Sequence, residues 1–239
     1  MTIGSAMDVK GCVRGLAFAA LLAAIAVRAA PSGAPLSPTA ARGDYLLLKT
    51  TRAELQSRLP GVSLDRTYRN VLAIPTQANL HMQIQPADRA AVATAVAALQ
   101  QLQAAAAANN SAAMCWLGQF YLVVMHDQRL AVPLMRKAAM AQTRTRPAPY
   151  PDAAYYYAML WQSMMSVNPV VQGQHREKWI RFGSALGSPK AEYVFGRQLL
   201  YGDPQDRIMP NTKVGLKLIQ TAAAGGSRAA QLLLQDLQR

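Results

Sequence analysis

Three histidines, two cysteines and a thin scatter of carboxylates are the residues in this chain with the chemistry to hold a metal or activate a nucleophile. His81, His126 and His175 stand far apart, and none begins a pair four residues apart on one helix face. Neither HExxH nor CxxC occurs, so the sequence offers no zinc site of those kinds. Cys115 sits between Met114 and Trp116 in an apolar stretch. A thiolate nucleophile needs access and a lowered pKa, and a packed helix supplies neither, so Cys115 reads as a buried, inert thiol. His126-Asp127 has the residue types of an acid–base pair, yet its place between two helices reads as a solvated loop. Asp203 and Asp206 flank Pro204-Gln205; a calcium loop needs more oxygen ligands and a bidentate Glu, so this pair reads as turn and cap residues. The glycine-rich phosphate loops and the Gly-x-Ser-x-Gly nucleophile elbow are missing from the sequence. The expectation is no catalytic residue, no cofactor and no metal.

The charge balance is the other chemical signal. The chain carries 25 Lys and Arg against 12 Asp and Glu, a formal charge of +13. Arg136, Lys137, Arg144 and Arg146 gather at one junction, and His175, Arg176, Lys178 and Arg181 at another. Such charge attracts acidic proteins, anionic lipid surfaces or nucleic acid. Trp116, Trp161 and Trp179, with Tyr155 to Tyr157, could stack on bases, but helical spacing places most of them on packing stripes. Most of the basic surface reads as ordinary solvated surface, with an acidic protein or envelope surface as the favoured specific partner.

The elements that position these residues follow from composition. Apolar residues make up 51% of the chain and alanine is the commonest residue, which favours helices over sheet. Residues 1–29 read as a secretory signal peptide: Lys10 and Arg14 precede the apolar run Gly15–Val27, too short to span a bilayer, and small residues follow. Cys12 precedes that run, which excludes a lipid-modified cysteine at the cleavage site. Removal of residues 1–29 takes away Lys10, Arg14, Arg28 and Asp8 and leaves 22 basic and 11 acidic residues. The expected location is then the periplasm or the exterior of a bacterium. Residues 30–43, rich in Pro, Ser, Gly and Ala, read as a flexible leader. Residues 44–110 read as an N-terminal helical region, with one helix capped by Asp44 and a second from Asp88 to about Ala108. Residues 62–86 fit either a short strand or a helical turn.

From residue 111 onward the chain repeats. Ala113, Ala154, Ala191 and Ala230 begin similar segments at intervals of 41, 37 and 39 residues, each with an apolar residue four later. Gly118 and Gly196 follow that apolar residue in two of them, which would let a second helix come close. A second helical element follows each of the first three, running from Pro133, His175 and Val214, and two of these end at Gly187 and Gly225. Residues 142–150 read as an inserted basic loop. Paired helices of this kind bury their apolar faces by stacking on neighbouring pairs, which gives an α-solenoid closed by the helix after Ser227.

The pattern resembles the Sel-one-like repeats, relatives of the tetratricopeptide repeats. Ala113, Leu117-Gly118, Tyr121 and Lys137-Ala138-Ala139 carry the likeness in the first unit. Ala191, Gly196, Tyr201-Gly202, Ala222-Ala223 and Gly225 carry it in the third. The middle unit departs, with Met159 where Gly is expected. The resemblance covers residues 111–239 and implies an all-α fold: a right-handed α-solenoid of helix-turn-helix repeats with an N-terminal helical region. It also implies a non-enzymatic scaffold or adaptor that binds a protein or peptide on a repeat surface. Some secreted relatives are rich in disulfides, whereas only Cys115 follows residue 29 here. The partner-binding candidates are the first-helix positions off the core stripe, Gln119, Gln162 and Arg197, together with Arg144 and Arg146. The alternatives are an envelope hydrolase with an unrecognised site and a basic nucleic-acid-binding protein; an exported chain meets little nucleic acid.

Overall fold

The computed structural model describes residues 36–58, 86–140, 149–162, 168–204 and 207–239, and these are helical throughout apart from turns and one isolated bridge between Asp203 and Ile208. The helices are α1 (Pro38–Arg58), α2 (Pro86–Ala107), α3 (Ser111–Gln119), α4 (Gln128–Ala139), α5 (Pro151–Gln162), α6 (Pro169–Ala185), α7 (Pro189–Tyr201), α8 (Thr212–Ala224) and α9 (Arg228–Leu237). A π-helical turn, Phe120–Val124, extends α3. The signal segment, the stretch 62–85, His81, Arg144, Arg146 and Asp206 lie outside the described residues. Among the described residues no helix is long and apolar enough to cross a membrane.

Local chemistry sets the helix starts. Asn109 adopts a left-handed φ of 64°, and the Asn110 side chain then accepts from Ala113 N, so the Asn pair stops α2 and caps α3 as its types dictate. Asp127 accepts from Arg129 N and Leu130 N and starts α4 five residues before Pro133, which therefore lies inside the helix rather than at its start. Ser188 and Ser227 cap α7 and α9 in the same way, each through a 3.4 Å bond from the alanine three residues on. Each of these serines follows a left-handed glycine, Gly187 at φ 78° and Gly226 at φ 90°. The glycine that turns the chain after α8 is thus Gly226; Gly225 keeps a φ of −73°. The first helix also starts earlier than Asp44. Ser37 Oγ accepts from Ala40 N and the helix begins at Pro38, so residues 38–43 of the expected leader are helical. Pro38 at the first helical position has no N–H to leave unpaired there.

Packing turns these helices into a stack of pairs. The extensive contacts are α1 with α2, α3 with α4, α5 with α6 and α7 with α8, and each second helix also touches the first helix of the next pair. The first helices α1, α3, α5 and α7 touch one another in sequence. This is a helix-turn-helix solenoid, and α1–α2 joins it as a further pair rather than standing apart. The four alanines that define the repeat register, Ala113, Ala154, Ala191 and Ala230, are all fully buried. Glycine sets the approach distances. A Cβ on Gly118 would meet Met135 Cγ at 2.8 Å, and one on Gly196 would meet Ile219 Cγ1 at 2.9 Å. A Cβ on Gly215 would meet Gly196 O and Leu200 N at 2.7 Å, so the α7–α8 crossing is backbone against backbone. One apolar core runs from Leu48 through Leu102, Trp116 and Phe120 to Ala154, while a smaller cluster of Ile219, Ala222 and Ala230 holds the C-terminal end.

Candidate interaction surface

The positions singled out in the sequence fall in different places. Gln119 is buried, at 6% exposure, and is no partner-binding candidate. The reason is that α1, α2, α4 and α5 all pack on α3, so this helix has no solvent face on which an off-stripe residue could stand. Gln162 and Arg197 are exposed, on the last turn of α5 and the body of α7.

Gln162 lies on a groove. A depression of about 700 Å³ is lined by Gln162, the first half of α6 (Pro169, Val170, Gln172, Gly173, Gln174, Arg176 and Glu177) and Arg207 from the loop between α7 and α8. Asp203, in that same loop, accepts from Gln198 Nε2 at 3.0 Å and faces Arg176 at 3.8 Å, which ties the loop to α6. Asp203 is a turn residue, as its flanking proline suggests, and it is also an ion-pair partner. Arg207 holds a left-handed φ of 54°, a conformation that strains a residue with a Cβ. His126, exposed in the loop before α4, does the same at φ 52°. Asp127 beside it serves as a helix cap, so the pair is a loop and a cap rather than acid–base machinery.

A second cluster lies on the opposite side of the stack, at the turn between pairs. Lys190 Nζ donates to Asp152 Oδ2 at 2.8 Å and to the Tyr156 hydroxyl at 2.6 Å, and sits over the rings of Tyr156 and Trp116 at 4.4 Å and 5.8 Å. Ser188 Oγ donates to Asp152 Oδ1 at 2.7 Å. Trp116 comes from α3, Asp152 and Tyr156 from α5, and Ser188 and Lys190 from the start of α7, so the cluster joins three consecutive pairs. The polar ends of Asp152, Tyr156, Ser188 and Lys190 face one another, which makes the cluster a clamp. Cys115 lies close by, fully buried; desolvation, followed by the nearby Asp152 charge, pushes its thiol pKa far up. A thiol held neutral and out of reach is no nucleophile. Burial likewise raises Tyr150 to about 12 and lifts Tyr45, Tyr155 and Tyr156.

His175 stacks flat on Trp161 at 4.1 Å and 7°. Trp179 packs edge-on against Tyr157 and Phe182. These aromatic rings are thus largely committed to the stack. Among the described residues no group of three or more His, Cys, Asp or Glu is placed to hold a metal ion. Sequence reading missed Lys190 and Asp152, which are ordinary charges 38 residues apart, and it missed Arg207. The only local hint for Arg207 was the Pro204-Gln205 turn before it.

No protein-family model matches the chain, and no curated protein matches it. Among solved structures the chain is similar to a Sel1 repeat protein from Oxalobacter formigenes, at 21% identity over 58% of this chain and 97% of that one, with a TM-score of 0.45.

Proposed function

We propose that this protein is a non-enzymatic interaction scaffold of the Sel-one-like kind, exported to the bacterial cell envelope, that presents its helix pairs to a protein or peptide partner. The observation that supports this reading most directly is the unbroken packing of pair on pair from α1 to α9. Such a stack offers a long, preformed surface, so binding orders little of the protein and loses little entropy. The first helices touch across pairs more than the second helices do, which puts them on the inner side of the stack. Gln162 and Arg197 from first helices, and Arg144 and Arg146 from the junction before α5, are the contact positions of this proposal.

The test is site-specific photo-cross-linking in intact cells. Cross-linkers at Gln162 and Arg197 should capture the same envelope protein, and one at buried Gln119 should not. Failure to capture any protein above background at either exposed position would sink the scaffold reading. The export half is checked separately: cell fractionation should find the chain in the envelope fraction, shortened by the first 29 residues.

A further inference from the structure

The charges of the repeats are sorted by helix. The second helices α4, α6 and α8 together carry eight Lys and Arg against one carboxylate, Glu177. The first helices α3, α5 and α7 carry two charges of each sign. One side of the stack is therefore balanced and the other is basic.

The basic residues also share a register. Met135, Ile180 and Ile219 are fully buried at equivalent places, each three residues before a buried small residue, Ala138, Gly183 or Ala222. Six residues before, two before and one after each of them the side chain is exposed, and these spacings of four and three draw one stripe down the outer side of each helix. Of the nine positions six are cations: Arg129 and Arg136 on α4, Lys178 and Arg181 on α6, Lys213 and Lys217 on α8. Pro133, Gln174 and Gln220 fill the rest, so no carboxylate interrupts the stripes. Glu177 lies beside the α6 stripe and pairs with Arg181, while Arg176 turns to Asp203. Arg129, Arg136, Lys178, Lys213 and Lys217 have no carboxylate partner among the described residues. Like charges gathered without partners repel one another, so the fold itself gains nothing from them. Leu130 and Val214, each next to the first cation of its stripe and again at equivalent places, are 48% and 43% exposed.

The three stripes lie on helices that make no extensive contact with one another, so their cations do not converge on one bound carboxylate or phosphate. Long cationic side chains spread over three ribs suit a broad, fluid array of anions. Exposed aliphatic groups among them suit the headgroup boundary of a bilayer, whereas a nucleic-acid backbone offers charge alone. We infer that the outer side of α4, α6 and α8 docks on the surface of an anionic phospholipid bilayer. The first helices then face away from the lipid and stay open to a protein. The inference goes beyond the scaffold reading and does not depend on it.

The test is cosedimentation of the purified full chain with phosphatidylcholine vesicles, with and without about 30% phosphatidylglycerol. Binding should need the anionic lipid and should weaken at least about tenfold between about 0.1 M and about 0.5 M salt. Each cation at such a surface counts for about fivefold, so Lys213→Gln with Lys217→Gln, and Arg136→Gln with Lys178→Gln, should each weaken binding about twentyfold. Arg42→Gln with Lys49→Gln removes as much charge from exposed positions of α1, which packs on α2 and α3, and should leave binding within about threefold. Leu130→Ser with Val214→Ser should weaken vesicle binding about fivefold. All these positions are exposed, so the thermal midpoints should match the parent chain. Equal binding to neutral vesicles, no binding to either kind, or an equal loss in the α1 variant would overturn the inference. So would displacement of the vesicles by a DNA duplex or by polyglutamate at equal charge concentration, which would mark a nucleic-acid or acidic-protein surface instead. Failed cross-linking at Gln162 and Arg197 strikes the scaffold reading and leaves this one standing.

Discussion

Lys190 shows how a single side chain can fasten a repeat array. Its ammonium meets a carboxylate, a phenol and two ring faces drawn from two neighbouring pairs. Lys190 is more than a third exposed, so water screens much of the Coulomb term and the clamp depends as much on the short hydrogen bonds. Asp152→Ala should therefore lower stability by about 1–2 kcal/mol, read as a drop in thermal midpoint. A double-mutant cycle with Lys190→Met should show coupling, because each single change removes the same contact. The phenols next to this clamp make a second prediction. Tyr150 titrates near 12 in the fold because burial opposes its charged form, against 10.0 for a free tyrosine. Between those values the unfolded chain has lost a proton that the folded chain keeps. Stability contributed by Tyr150 is thus complete below pH 10 and declines as pH rises toward 12. Partial exposure limits the loss to about 1–2 kcal/mol. Urea titrations at pH 9 and above should show a shallower alkaline decline for Tyr150→Phe than for the parent chain; parallel curves would exclude this role.

At the scale of the helix, two glycines with opposite surroundings test what holds the pairs together. Gly215 has backbone atoms of α7 at 2.7 Å from where a Cβ would sit, and neither partner can rotate away. Gly215→Ala should push α7 and α8 apart and destabilise the protein by about 2–4 kcal/mol. Gly43 lies exposed inside α1 with nothing within 4 Å of its added Cβ. Gly43→Ala should raise stability by about 0.5–1 kcal/mol through helix propensity alone. Circular dichroism melts of the two variants should move in opposite directions. The same elements show what could be read from the sequence. The register of the pairs was legible because alanine and glycine at fixed spacing have one physical use here, close approach, and the four aligned alanines are fully buried. The start of α1 was hidden because Pro38 and Gly43 look like loop residues until the Ser37 cap is known. Gln119 was misplaced because a stripe argument assumes that each helix has a wet side, and α3 is enclosed by four others. The groove and the Lys190 clamp were beyond sequence reading because their members meet only after pairs stack, through separations of tens of residues.

The whole molecule is a line of local interfaces, so its stability should vary along its length. The large core is shared by α1 to α5, whereas α8 and α9 are held by a small cluster around Ile219, Ala222 and Ala230. Ile219 is fully buried and also touches Gly196. Ile219→Ala removes its packing from both the α7–α8 crossing and the α9 contact, at about 2–4 kcal/mol. In a protein with one undivided core that loss would lower protection everywhere. In a stack of pairs it should fall locally: amide exchange measured by mass spectrometry should quicken in α7, α8 and α9 and stay near the parent rate in α2 and α3. Asp152→Ala supplies the contrasting case, since its contacts join α3, α5 and α7 through Lys190 and Ser188, and it should quicken exchange on both sides of α5. If Ile219→Ala accelerated exchange equally in α2 and α8, the pairs would be one cooperative unit.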